Sequence, residues 1–165
     1  MRPAVKEGEL IRVPNTLKNK IGGSMAKVDT AAIAKAEAAL ASLSSNFDEW
    51  IVDEVTKLEE ARQKVDEGGL AGDAGRALFN CGHDLKGLGT TYGYPIVSQI
   101  ADSLCKITHE KEIRVQAPLF LIDAHVDTIR AAVKSGIKDT NHPVGSVLIS
   151  ELQKKTDEFL TKIGQ

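Results

Sequence analysis

Residues 76–92, Arg-Ala-Leu-Phe-Asn-Cys-Gly-His-Asp-Leu-Lys-Gly-Leu-Gly-Thr-Thr-Tyr, constrain the chain more than any other stretch. On a helix at roughly 100° per residue, Leu78, Cys81, Leu85, Leu88 and Tyr92 fall on one stripe, the spacing of a core-facing helix. His83 stands on the opposite side. Its neighbours one turn away are Phe79, Asn80, Lys86, Gly87 and Thr90, so an ionisable ring is expected in solvent beside a cation and small side chains. An exposed histidine alone is usually just a solvated side chain; here the surroundings make it a candidate site.

Three glycines interrupt this predicted helix, and each costs about 1 kcal/mol relative to alanine. Gly82 and Gly89 border the apolar stripe, where a missing side chain lets a neighbouring helix come close. Gly87 lies one turn beyond His83 on the wet face and is expected to pack against nothing. A bare backbone there leaves room for a phosphoryl group or another protein to reach the imidazole, with Lys86 supplying positive charge. Phe79 lies off the core stripe, and with Arg76, Gly87, Thr90 and Thr91 it can form a docking surface with an apolar centre and a polar rim. Packing of Phe79 against the preceding helix is the competing reading.

The rest of the chain reads as helix. Asp29 or Thr30 can cap a helix whose apolar positions run Ile33, Ala36, Leu40, Leu43, Phe47 and Trp50, then shift to Ile51, Val55, Leu58 and Val65. Ser44-Ser45-Asn46 suits a cap, so two helices are expected, about 30–44 and 46–67, with Trp50 in the core. Gly93 and Pro95 make a turn to a helix over about 95–109. Pro118 opens another with Leu119, Ile122, Val126, Ile129 and Val133 inward, ending at Gly136. A last helix follows His142-Pro143, with Leu148, Leu152, Phe159 and Ile163 on one side. The expected architecture is an all-α antiparallel four-helix bundle, its core at about 46–135, with additional N-terminal and C-terminal helices.

Residues 1–28 hold six basic side chains against two acidic ones, whereas the remainder holds 21 acidic and 15 basic. They read as a basic arm preceding a single helical domain over 29–165. A net charge of −2 offers no basic field for nucleic acid, and no apolar run reaches membrane-span length. Cys81 and Cys105 fall on or beside apolar faces, with no C-x-x-C and no secretory signal; they read as reduced thiols, and the expected compartment is cytoplasmic. No H-x-x-x-H or E-x-x-H pair suggests a metal site. His109 reads as a charged helix end, His125 as a border residue of its stripe, and His142 as loop.

His83-Asp84-Leu85-Lys86-Gly87, with Gly93 ten positions after the histidine, resembles the H-x-x-K-G signature of histidine-containing phosphotransfer (HPt) domains of bacterial phosphorelays. The resemblance extends over about residues 47–135, since that family also follows its histidine helix with a turn and a second amphipathic helix. It implies that His83 accepts a phosphoryl group from a receiver-domain aspartate and passes it to another receiver, with Lys86 offsetting the phosphoryl charge. It further implies response-regulator receiver domains and a hybrid histidine kinase as partners, no cofactor of its own, and Mg²⁺ supplied by the receiver. No P-loop or kinase glycine-rich loop is present, so the expectation is a phosphocarrier without kinase activity, and a monomer. In many family members a Gln or Glu on the following helix orients the histidine; by register that position here is Cys105, and Gln99, Asp102 and Lys106 are the alternatives. His83-Asp84 also resembles the H-box of histidine-kinase dimerisation modules, although the proline expected five residues on is Leu88. A helical adaptor or cofactor-binding bundle is the remaining alternative.

Overall fold

The computed structural model describes residues 30–164, which form six helices and no strand: α1 (Thr30–Gly68), α2 (Asp73–Thr91), α3 (Pro95–Thr108), α4 (Lys111–Arg114), α5 (Leu119–Lys134) and α6 (Pro143–Lys162). The basic arm expected over 1–28 lies outside the described residues. By its internal contacts the chain divides at residue 38. Of the first unit the described part is Thr30–Ala38, the opening turns of α1; the packing below is that of residues 39–165.

Local signals place the helix ends. Gly69, at φ +67°, follows α1 and donates its N–H to the Val65 carbonyl at 2.8 Å, a left-handed position that glycine adopts without a Cβ penalty. Pro95 occupies the first turn of α3 and Pro143 that of α6, where a missing N–H costs no hydrogen bond. His142, expected as loop, caps α6: its Nδ1 accepts from the Gly145 N–H at 3.3 Å.

One boundary differs from expectation. Residues 30–68 form a single helix rather than two. The Ser45 hydroxyl donates to the Ser42 carbonyl at 2.8 Å, within the helix, instead of capping a new one.

Helix α3 is buried nearly all round, from Ile96 and Val97 through Ile100, Leu104 and Ile107, and packs against α2, α5 and α6. The core around it draws Ile51, Val55, Leu58 and Val65 from α1, Leu78 and Leu85 from α2, and Ile122, Val126 and Ile129 from α5. Three apolar residues expected inward are exposed: Trp50 (42%), Leu119 (43%) and Leu148 (38%). Trp50 instead joins Phe47 and Tyr92 in an aromatic trio, with ring centroids 5.5–6.0 Å apart. On α6 the buried positions are Gly145, Ile149, Leu152 and Thr156, one residue out of phase with Leu148.

Polar links fix how the helices meet. Arg62 on α1 bonds Asp123 on α5 through Nε and Nη2, at 2.5 and 3.1 Å. The buried Arg114 guanidinium donates to the carbonyls of Leu70, Thr108 and His109, closing the α1–α2 loop onto the end of α3. His125, expected at the border of its stripe, is fully buried. Its Nδ1 lies 2.7 Å from the Leu121 carbonyl and must carry the hydrogen, so Nε2 accepts from the Ser103 hydroxyl at 2.9 Å. Ser103 in turn meets Thr156 at 3.0 Å, which joins α3, α5 and α6 with every polar atom satisfied.

Burial lowers the pKa of His125 by penalising the charged imidazolium, with the Leu121 carbonyl opposing in part. The unfolded chain therefore binds a proton that the folded chain resists, and stability falls as pH drops below the ordinary histidine value of about 6.5. Chemical denaturation at pH 7 and pH 5 is expected to show this loss in wild type and a smaller one in His125→Leu, whose removal leaves Ser103 and Thr156 bonded to each other.

Candidate functional site

Helix α2 presents two faces of opposite character. Leu78 and Leu85 are completely buried, while the His83 side chain, on the other side, is 66% exposed. What holds α2 in this rotation is its approach to α3. A Cβ on Gly82 would sit 3.4 Å from Leu104, and one on Gly89 would collide with the Ser98 hydroxyl at 2.7 Å and the Ser98 backbone nitrogen at 2.8 Å. Gly89 is therefore needed for the close approach, as its place beside the stripe suggested, whereas a Cβ on Gly82 would make an ordinary van der Waals contact. Gly87 differs: a Cβ there meets nothing within 4 Å.

The imidazole has no hydrogen-bond partner among the described residues. Its Nδ1 faces the Asp84 carboxylate at 4.0 Å, beyond hydrogen-bond range. Phe79 is half-buried between two imidazoles, 5.8 Å from the His83 ring and 5.2 Å edge-on from the His109 ring. It borders the groove and packs edge-on against the His109 ring that follows α3.

Lys86 crosses to α3. Its Nζ lies 2.7 Å from Asp102 Oδ1, and Lys106 approaches the other carboxylate oxygen at 3.7 Å. The Lys86 hydrogen bond holds Asp102 below the usual carboxylate range, and Asp102 raises the pKa of Lys86, so both are charged at neutral pH. His83, Lys86, Asp102 and Cys105 line one open groove of about 490 Å³, together with His109 and Leu160. Burial pushes the Cys105 thiol up to about 11, leaving it a neutral, weakly bonding group beside the imidazole. Of the alternatives named for the Cys105 position, Asp102 acts on Lys86 and Lys106 rather than on the ring.

The remaining surface residues occupy the same helix as His83. Arg76 is exposed and paired with Asp73 in the first turn. Thr90 is exposed, and Ser98 bonds both its N–H, at 2.8 Å, and its hydroxyl, at 3.0 Å; Thr91 is exposed at the last residue of α2. His109, Ile113 and Leu160 complete the groove wall without having been marked by spacing, because they come from the end of α3, from α4 and from α6. Among the described residues no helix is long and apolar enough to cross a membrane. In comparison with known proteins, the chain matches no family model, no curated protein and no solved structure.

The glycines yield opposite expectations. Gly87→Ala is expected to raise stability by up to about 1 kcal/mol, as alanine replaces glycine in an open helix position. Gly89→Ala is expected to lower it by about 1–3 kcal/mol through overpacking against Ser98. Thermal unfolding of the two variants beside wild type checks both signs.

Proposed function

We propose that this chain is a histidine phosphotransfer carrier, in which His83 accepts a phosphoryl group from a receiver-domain aspartyl phosphate and passes it to another receiver. The observation that carries this reading is an exposed imidazole on a helix fixed by its buried face, with open space at Gly87 and a charged Lys86 on the same groove. The H-x-x-K-G resemblance supports it from the sequence.

In this reading α1, α2, α3 and α5 form an antiparallel four-helix bundle and α6 is an addition. Support comes from the three-residue link between α2 and α3, which favours an antiparallel pair, and from the packing of α5 on α3. Rigidity is what the chemistry asks of such a scaffold, because in-line transfer depends on placing the nucleophile correctly.

In the transfer step the Nε2 lone pair forms the new P–N bond as the bond from phosphorus to the aspartyl oxygen breaks, and the aspartate leaves as a carboxylate. Hydrogen stays on Nδ1, near Asp84. Lys86 offsets the phosphoryl charge as it moves, at the cost of part of its bond to Asp102. The receiver contributes Mg²⁺ and its own carboxylates, and the carrier needs no cofactor and has no kinase activity of its own. Phe79, Arg76, Thr90 and Thr91 belong to the docking face. The partners are response-regulator receivers and a hybrid histidine kinase in the cytoplasm, with neither nucleic acid nor membrane involved.

Incubation with a panel of phosphorylated receiver domains, followed by intact-mass spectrometry, tests the proposal. Wild type is expected to gain one acid-labile phosphoryl group and His83→Gln none. Lys86→Ala is expected to slow transfer by roughly 10- to 100-fold, the scale of losing one charge-stabilising donor, with unchanged helicity. Failure of every receiver to phosphorylate the wild-type chain would overturn the reading.

A further inference from the structure

Arg114 carries a charge that the fold encloses without a counterion. It is 3% exposed, and its Nε lies so near the first turn of α2 that a Cβ on Gly75 would come within 2.8 Å of it. Nε and Nη1 donate to the carbonyls of Leu70, Thr108 and His109, and among the described residues no carboxylate pairs with the guanidinium. Nη2 bonds nothing. Because no buried side-chain nitrogen or oxygen among the described residues lacks a partner, Nη2 must reach the surface. The opening at hand is a pocket of about 420 Å³ that Arg114 lines together with Arg76, Phe79, Asn80, His109 and Lys111. A guanidinium stays charged in proteins, and a nearly buried charge is costly until an anion meets it.

We infer that this pocket is a binding site for a phosphate dianion, free or as the monoester of a small molecule. No carboxylate lines it. Arg76, Lys111 and Arg114 bring three positive charges and Asp73, bonded to Arg76, offsets one, so two remain for a ligand to balance. A carboxylate ligand would leave one of them over, whereas a phosphate monoester carries close to two negative charges at neutral pH and several acceptor oxygens. Asp73 is 91% exposed, and so open an ion pair yields readily to a ligand. The Arg76 fork, the free Nη2 of Arg114 and the Asn80 amide are all donors. Burial and the like charge of Arg76 both lower the pKa of Arg114, and Glu112 opposes them less, so the field there is positive. The volume is that of a small-molecule pocket rather than of one phosphate group, and Phe79 gives the remainder an aromatic wall. Phe79 and His109 also border the groove of His83, which makes the two openings neighbours. The inference does not rest on the phosphotransfer reading, because His83, Lys86 and Asp102 line the groove and not this pocket.

Isothermal titration calorimetry of the full chain with inorganic phosphate and with phenyl phosphate, at slightly alkaline pH and low salt, tests the site. Both probes are expected to bind one-to-one. Tighter binding of phenyl phosphate assigns the pocket to a phosphorylated small molecule, and equal or weaker binding assigns it to the free ion; either supports a phosphate site. Lys111→Glu and Arg76→Ala are each expected to weaken binding by roughly 10-fold or more, the scale of one charge-assisted contact, with unchanged circular dichroism. Nuclear magnetic resonance places the ligand: the Arg114 Nε–H and the Asn80 side-chain amide are expected to shift on titration. Absence of binding by both probes at millimolar concentration would overturn the inference. So would binding that Lys111→Glu and Arg76→Ala leave intact, and its loss in Lys86→Ala would then put the anion in the groove of His83.

Discussion

The arrangement of this protein depends on how closely α2 can lie against α3. Gly89 supplies the missing volume, and Ser98 and the Tyr94 carbonyl fill it. Because α3 is apolar on nearly every side, it serves as the axis around which α2, α5 and α6 are placed. Once α2 is seated by Leu78 and Leu85, its opposite face has no freedom to turn inward, and His83 is exposed as a consequence of packing on the far side. The position of the imidazole is thereby tied to residues that never touch it.

The groove beside His83 combines three kinds of surface. Phe79 and the His109 ring give an aromatic edge, Lys86, Asp102 and Lys106 give a charged wall, and Cys105 gives a neutral thiol floor. The wall comes from two helices, α2 and α3, so the spacing of its charges follows from the same close approach that seats α2. Gly87, next to Lys86 on α2, is an open helix position where a Cβ would meet nothing within 4 Å.

Much of this was legible in the sequence, for reasons that can be traced residue by residue. The stripe of α2 was readable because a 3.6-residue period survives in a short, one-sided helix, and the exposure of His83, the open position at Gly87 and the close approach at Gly89 follow from it; Gly82 was grouped with Gly89 because both border the stripe, and spacing does not show how near the next helix comes. The ends of α3 and α6 were marked by Pro95 and Pro143. Periodicity was silent on contacts between distant segments: Lys86 with Asp102, Phe79 with His109, and the burial of His125 by Ser103 and Thr156 all join different helices or different turns. The continuity of α1 through Ser45 was hidden because a serine hydroxyl can bond within a helix as readily as it can cap one. Trp50 was misplaced for a related reason, since a large ring on an apolar stripe looks internal whether or not a neighbour covers it.

Asp102 holds two ammonium groups at unequal reach, Lys86 at 2.7 Å and Lys106 at 3.7 Å. Were Lys86 to swing away, the carboxylate would already have a second cation at hand. Local charge balance would then rest on a small exchange of partners at the surface. Asp102 thereby keeps a counterion on each of two helices, α2 and α3.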